Sequence, residues 1–237
     1  MQYLDFTFSD PASNLALDEI LLEEAESNLR GETLRIWESL TYFVVLGISS
    51  HYKDEVNVSA CERDGISVLR RKSGGATVLQ GPGCLNFALI LQTSEKSGIR
   101  SDTQKVMKKN CEAANKWGLH GKIEIQGISD LTWNAKKFSG NAMRRGRNYQ
   151  LFHGTFLYNF NLEKISEYLG HPCREPEYRQ KRKHIDFLNN IPVERHQIIT
   201  SLREIWGAQK VRSFPDKGMV QKLAQSTYAQ DSWNLKY

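Results

Sequence analysis

Strand-forming runs crowd the middle of this chain: ISVLRR over 66–71, ATVL over 76–79, LNFALIL over 85–91 and, further on, IEIQ, SDLTW, KKFSG and QLFHGTFLYNF. β-branched, leucine and aromatic residues at this density suit a pleated, half-buried surface, so the centre of the fold is a sheet. One helical stretch, from about Ser101 to Trp117, divides the sheet into two halves; Ser101 and Asp102 read as its cap and Gly118 as its stop. Strands and helices do not alternate one for one. That excludes serial βαβ units and predicts an α+β fold, a mixed or antiparallel sheet flanked by helices. A chain of 237 residues, 40% hydrophobic and 25% charged, has enough material for one sizeable core. No linker-like stretch divides it, so residues 1–237 read as a single domain.

Helices are expected at the two ends. Asp10 and Pro11 have the chemistry of an N-cap and a first helical position, and Leu17, Ile20, Leu21 and Ala25 follow at helical spacing. Short strands are expected at 33–37 and 43–48, then a helix over about 53–63 that stops at Asp64 and Gly65. Beyond Leu162 the pattern turns helical again at 162–169, 194–206 and 216–228, with a proline- and charge-rich connector from Pro172 to Pro192.

Lysine and arginine total 32 against 27 acidic residues, a surplus of +5 that is too small for a dedicated nucleic-acid binder. Placement says more than the total. Residues 136–147 hold five cations and no anion, and Arg70, Arg71 and Lys72 stand directly before a glycine pair. Both clusters invite a phosphate. The four cysteines, Cys61, Cys84, Cys111 and Cys173, lack CxxC spacing and suggest neither a zinc site nor a disulfide framework; a reduced cytoplasm is the expected home. The first 29 residues carry no lysine or arginine, and the longest apolar run is about six residues near Phe43–Ile48, so neither a signal peptide nor a membrane span is expected.

Three constellations carry candidate chemistry. In Arg70-Arg71-Lys72-Ser73-Gly74-Gly75-Ala76-Thr77, glycines let backbone N–H groups approach an anion while guanidinium groups hold it by paired hydrogen bonds. The same letters also fit a glycine hairpin with solvated cations, and the P-loop spacing is missing. In SDLTWNAKKFSGN (129–141), Asn134-Ala135 fits a hairpin tip that would bring Asp130 and Lys137 onto neighbouring strands. Lys137 could then neutralise a phosphate and polarise a carbonyl, or simply sit on a basic, solvated tip. His153, inside the apolar run Leu151–Phe160, reads as a pocket wall and not as a base. Cys84 and Cys111 have no histidine nearby in sequence and read as structural.

Taken in order, RRKSGGATV, GPGCLNFALIL, SDLTWNAKKFSGNA and HGT resemble the lipoate–protein ligase A family, and the similarity reaches to Asp231-Ser232-Trp233-Asn234. The resemblance implies the fold shared with biotin–protein ligases and a two-step reaction. Lipoate or octanoate and ATP with Mg2+ would give an acyl-AMP. The acyl group would then pass to a lysine of a lipoyl domain, on 2-oxoacid dehydrogenase E2 subunits, or of the glycine-cleavage H protein. On that resemblance Lys137 matches the essential lysine. Arg71 and Gly74, Gly75, Ala76, Thr77, Val78 and Leu79 match the nucleotide- and lipoate-binding loop, and Asp130, Ser139 and His153 match residues near the pocket; Arg70, Ser73, Asn86, Gly140 and Gly154, beside them in sequence, are expected to join in binding. No nucleic acid and no membrane are implied as partners.

The sequence departs from that family in three places. Ala76 stands where a third glycine is usual, Gly47-Ile48-Ser49-Ser50-His51 replaces a polar GRxQN pattern, and the chain ends before a small C-terminal domain that many members carry. The last departure raises the expectation of a separate accessory protein or a compact enzyme. Two other readings compete. One is an octanoyl- or lipoyl-transferase of the same fold that uses a cysteine thioester; Gln126-Gly127-Ile128, where that branch carries its thiol, has none. The other is a non-catalytic nucleotide- or RNA-binding module built on 136–147 with Trp133 and Tyr149 for stacking.

Overall fold

The computed structural model describes residues 1–94, 98–172 and 175–237. In chain order it contains β1 (Gln2–Asp5), α1 (Pro11–Glu26), β2 (Thr33–Trp37), β3 (Phe43–Leu46), α2 (Tyr52–Glu55), α3 (Val58–Asp64), β4 (Ser67–Arg70), β5 (Val78–Gln80), β6 (Cys84–Gln92) and α4 (Ile99–Asn115). There follow β7 (Ile123–Gln126), β8 (Asp130–Trp133), β9 (Lys136–Arg145), β10 (Tyr149–Leu157), α5 (Glu163–Tyr168), α6 (His184–Phe187), α7 (Arg195–Ile205), β11 (Lys210–Val211), α8 (Lys217–Leu223) and α9 (Asp231–Asn234). Eight strands make the larger sheet, in the order β11-β1-β2-β6-β10-β9-β8-β7, and β4-β3-β5 make a smaller one. Among the described strands β1 pairs parallel with β2 and β11, and β3 with β4; the other strand pairs are antiparallel, in keeping with the α+β expectation.

Local chemistry sets the first helix. The Asp10 carboxylate accepts from the Ser13 N–H at 2.7 Å and Pro11 opens α1 with its φ already set. The helix is buried almost all round, lying over β6 and β10 with Leu17, Ile20 and Leu21 against Ala88, Ile90 and Leu151. Its polar residues are therefore paired inside the protein: Asp18 meets Arg35 of β2 at 2.5 Å, and Glu19 takes Lys72, Arg144 and the Tyr228 hydroxyl. On the opposite face of the sheet α4 and α7 cover Phe87, Phe152 and Phe156 with Val106, Met107, Ile198 and Leu202. Each such side chain buried contributes roughly 1.5–3 kcal/mol before chain entropy is subtracted. A third cluster seats α3 and α5 under the small sheet, through Ala60, Cys61 and Ile165 against Val44, Leu46 and Leu79.

Several boundaries differ from the sequence reading. The helix expected over 53–63 is two helices, parted where Val56 is extended and bridges Leu169. α4 begins at Ile99, with Gly98 as N-cap and Asp102 inside its first turn. The Asp102 carboxylate accepts from Arg145 at 2.8 Å, a partner 43 residues away. The helix expected over 216–228 changes winding: α8 is followed by a π-helical turn, Ala224–Tyr228. The connector holds a 3-10 turn, Glu177–Arg179, and α6. The basic run at 136–147 is not a free patch, since Arg144 and Arg145 are bound to Glu19 and Asp102 and the stretch is mostly the strand β9. Two of the five cations on which the RNA-binding reading drew are thereby committed to ion pairs. No described helix is long and apolar enough to cross a membrane. Cys173 lies outside the described residues.

Candidate active site

A cleft of about 630 Å³ is lined by β3 and β5 of the smaller sheet and by β2, β6, β8, β9 and β10 of the larger. Leu15 of α1, Trp37 of β2, Val45 of β3, Val78 of β5 and Phe87 of β6 supply apolar wall at one side; Asp130, Lys137 and Asn141 stand at the other. The cleft crosses the large sheet from β2 through β6, β10 and β9 to β8. Four strand intervals amount to roughly 19 Å, enough for a medium-length aliphatic chain laid across the strands. A second cavity of about 140 Å³, lined by Glu55, Thr77, Leu79 and Leu188 among others, adjoins it, and Lys137 lines both.

The 71–79 loop forms one wall. Arg71 is buried, and its guanidinium donates inward to Ser73 Oγ, to the carbonyls of Gly74, Val45 and Ala76, and so shapes the loop from behind. Burial lowers its pKa to about 10, which leaves it cationic at neutral pH. Gly75 has φ +91, in the left-handed region, whereas Ala76 keeps a negative φ; an alanine therefore fits at 76 without backbone strain. Ser73 Oγ and His153 Nε2 are 2.6 Å apart. Burial, and after it the Arg71 charge, hold His153 down at about 3, so the ring is neutral and serves as wall, not as a proton acceptor near neutral pH.

The hairpin β8–β9 forms the other wall. Asn134 and Ala135 both have positive φ, 51 and 59, the geometry of a two-residue hairpin turn. A bulge shifts the register so that Thr132 faces Lys137 while Leu131 faces Ser139, and Phe138 between them enters the core at 0% exposure. This extra residue turns Lys137 toward the cleft. Its ammonium lies 2.9 Å from Asp130 Oδ1 and stretches over Gly140, where a Cβ would stand 2.8 Å from Nζ and would push the lysine's end aside.

Of the residues singled out from the sequence, Arg71, Gly75, Ala76, Val78, Asn86, Asp130, Lys137, Gly140, His153 and Gly154 line the cleft. Thr77, Leu79 and Ser139 line the adjoining cavity. Ser73 is buried behind the loop with His153, and Gly74 contributes its carbonyl to Arg71. Arg70 faces the other way. Fully buried, it donates to the carbonyls of Gly47, Ser50 and Asn234 and lines neither cavity, because alternate residues of β4 point to opposite sides. It therefore buttresses the 47–50 segment, the stretch that departs from the polar pattern. Asp18, Trp37 and Tyr178 also line the cleft and were not anticipated. Tyr178 donates to Asp130 Oδ2 at 2.6 Å from 48 residues away, a pairing with no local sequence signal.

The family described as lipoyl protein ligase A/B catalytic domain matches residues 10–200, and the chain belongs to it. It is 27% identical over 238 residues to lipoate–protein ligase 1 of Staphylococcus aureus, covering 95% of this chain and 70% of that one. It is also 27% identical over 195 residues to the octanoyltransferase LipM of Carboxydothermus hydrogenoformans, covering 75% of this chain and 72% of that one. The fold is similar to that of a bi-partite lipoate protein ligase of Thermoplasma acidophilum, with a TM-score of 0.81, 19% identity and coverage of 99% and 96%. The chain spans less than half the length of several further lipoate–protein ligases that it matches.

Proposed function

We propose that this chain is an ATP-dependent lipoate–protein ligase, activating lipoate or octanoate as the acyl-AMP and transferring it to a lysine of an acceptor protein. The observation that carries the reading is the place of Lys137, the cation common to the large apolar-walled cleft and the smaller cavity beside the 71–79 loop. An acyl chain in the cleft and a nucleoside in the cavity would meet at its ammonium. The acid's carboxylate attacks the α-phosphorus, pyrophosphate leaves, and the negative charge that gathers on the phosphoryl oxygens is met by Lys137. In the second step the acceptor amine attacks the acyl carbon and AMP leaves, with Lys137 polarising the carbonyl oxygen. Mg2+ would arrive on the phosphates, which supply most of its ligands and whose charge it would neutralise. Among the described residues no group of three His, Cys, Asp or Glu forms a resident metal site. The acceptor would be a lipoyl domain of a 2-oxoacid dehydrogenase E2 subunit or the glycine-cleavage H protein.

A second reading, acyl transfer through a cysteine thioester without ATP, draws support from the similarity to an octanoyltransferase. Against it, no described cysteine lines the large cleft. Cys84 lines the smaller cavity but is 1% exposed, and burial pushes its thiol well above the usual range. One experiment separates the two. The chain is incubated with ATP, octanoate or lipoate and an acceptor domain, and separately with an octanoyl thioester, following AMP release and intact mass. AMP formation in step with acceptor acylation supports the ligase. A covalent acyl adduct on any cysteine, Cys173 included, without AMP would replace it with the transferase.

A further inference from the structure

Tyr178 belongs to a connector that reads in sequence only as proline- and charge-rich, yet it completes a chain of contacts ending at Lys137. We propose that Tyr178 is a positioning residue for Lys137, acting through Asp130; this rests on the reading of Lys137 as the activating cation. The Lys137 ammonium is paired with Asp130 Oδ1 at 2.9 Å, and the other carboxylate oxygen accepts from the Tyr178 hydroxyl at 2.6 Å. To meet a phosphoryl oxygen, the ammonium must loosen its hold on Asp130. The Asp130 side chain is only 14% exposed, and a carboxylate stripped of its partners there would pull the lysine back. The phenol stays on Oδ2 throughout, so that Lys137 leaves behind an anion that is still hydrogen-bonded.

The tyrosine is itself fixed. Its carbonyl accepts from Arg182 Nη2 at 2.7 Å, its ring lies 5.3 Å from that of Phe187, and Arg182 Nη1 reaches the hairpin tip at the Ala135 carbonyl, 3.2 Å away. Further along the same connector the Asn189 N–H donates to the Lys137 carbonyl at 2.9 Å. The connector thus holds the lysine's main chain at one point and its counter-ion at another. Burial, and after it the Asp130 charge, push the phenol far above its usual range, so it remains an O–H donor.

The test is the near-isosteric variant Tyr178→Phe, alone and combined with Asp130→Asn, in the full chain. Loss of one charge-assisted hydrogen bond is expected to lower kcat for acyl-AMP formation by about tenfold, with KM for the acid and for ATP changed less than about twofold. In the Asp130→Asn background the same tyrosine change is expected to cost less than about twofold, since the pair acts as a unit. An unchanged kcat in Tyr178→Phe, a rise in KM in its place, or an equal tenfold loss in the Asp130→Asn background would each overturn the proposal. Wild-type chain run alongside keeps the two readings apart. If it makes no AMP but takes acyl groups from an octanoyl thioester, the ligase reading fails and the same cycle is read on that transfer.

Discussion

Gly47 and Gly75 stand so close that a Cβ on Gly47 would lie 2.1 Å from the Gly75 carbonyl oxygen. The 47–50 turn is thereby pressed against the loop that walls the cleft, with the Ile48 N–H donating to the Ser73 carbonyl at 2.9 Å. Neither backbone has room to give, because Arg71 ties down the loop from inside. Gly47→Ala is expected to cost about 1–3 kcal/mol by overpacking and to raise KM for the acid by displacing the loop. Urea unfolding read beside steady-state kinetics checks both; an alanine variant with wild-type stability and KM would show the contact to be slack.

Arg70 and Lys137 were grouped together as cations for a ligand, and the structure assigns them opposite characters. Arg70→Met removes donors from the carbonyls of Gly47, Ser50 and Asn234 in a fully buried place. A loss of about 3 kcal/mol or more in unfolding free energy is expected, the scale of leaving buried polar groups without partners. The C-terminal helix α9, which also holds the Arg70 carbonyl through Trp233 Nε1 at 2.8 Å, should lose amide-exchange protection first.

Lys137→Ala should do the reverse. Its side chain is 25% exposed and its pair with Asp130 is partly solvated, so the stability change is expected to stay within about 1 kcal/mol. Acyl-AMP formation should fall by roughly two to three orders of magnitude, the usual result of removing a group aimed at developing charge. Near wild-type AMP release from this variant would remove Lys137 from the chemistry.

His153 gives the protein an acid-side weakness. Its pKa is lowered from 6.5 to about 3 in the folded chain, so between those values the unfolded chain binds a proton that the folded one does not. Stability from this group is complete above about pH 6.5 and declines as pH falls toward 3, by up to about 1.4 kcal/mol per pH unit. His153→Gln, which cannot titrate, should flatten that part of a stability–pH curve measured by denaturant unfolding. An unchanged slope would mean that the ring is protonated in the folded state.

Local chemistry was legible where a short stretch decides its own shape. Asp10 with Pro11 specified the start of α1, and Asn134-Ala135 specified a hairpin that brings Asp130 to Lys137. What could not be read depends on partners far along the chain. Asp102 looked like a cap and is instead the counter-ion of Arg145. Arg70 looked like a ligand-binding residue and is bound to Gly47, Ser50 and Asn234, separated from it by 23, 20 and 164 positions. Tyr178 has no pattern to mark it, since a connector's path over a site is decided by the packing of Phe187 and the reach of Arg182, not by periodicity. The edge strand β11 and its neighbour β1 went unseen because each is too short to show alternation; they are defined by their pairing, β11 with β1 and β1 with β2.

The apolar wall of the cleft is continuous with the core under α1. Leu15, Trp37, Val45 and Val78 belong both to the wall of the cleft and to one core cluster. A guest hydrocarbon chain lying against that wall would extend the same apolar layer, contributing to cohesion as much as to turnover. Heat resistance should therefore climb with the length of the bound tail until the gap is filled, and fall back for tails too long to fit.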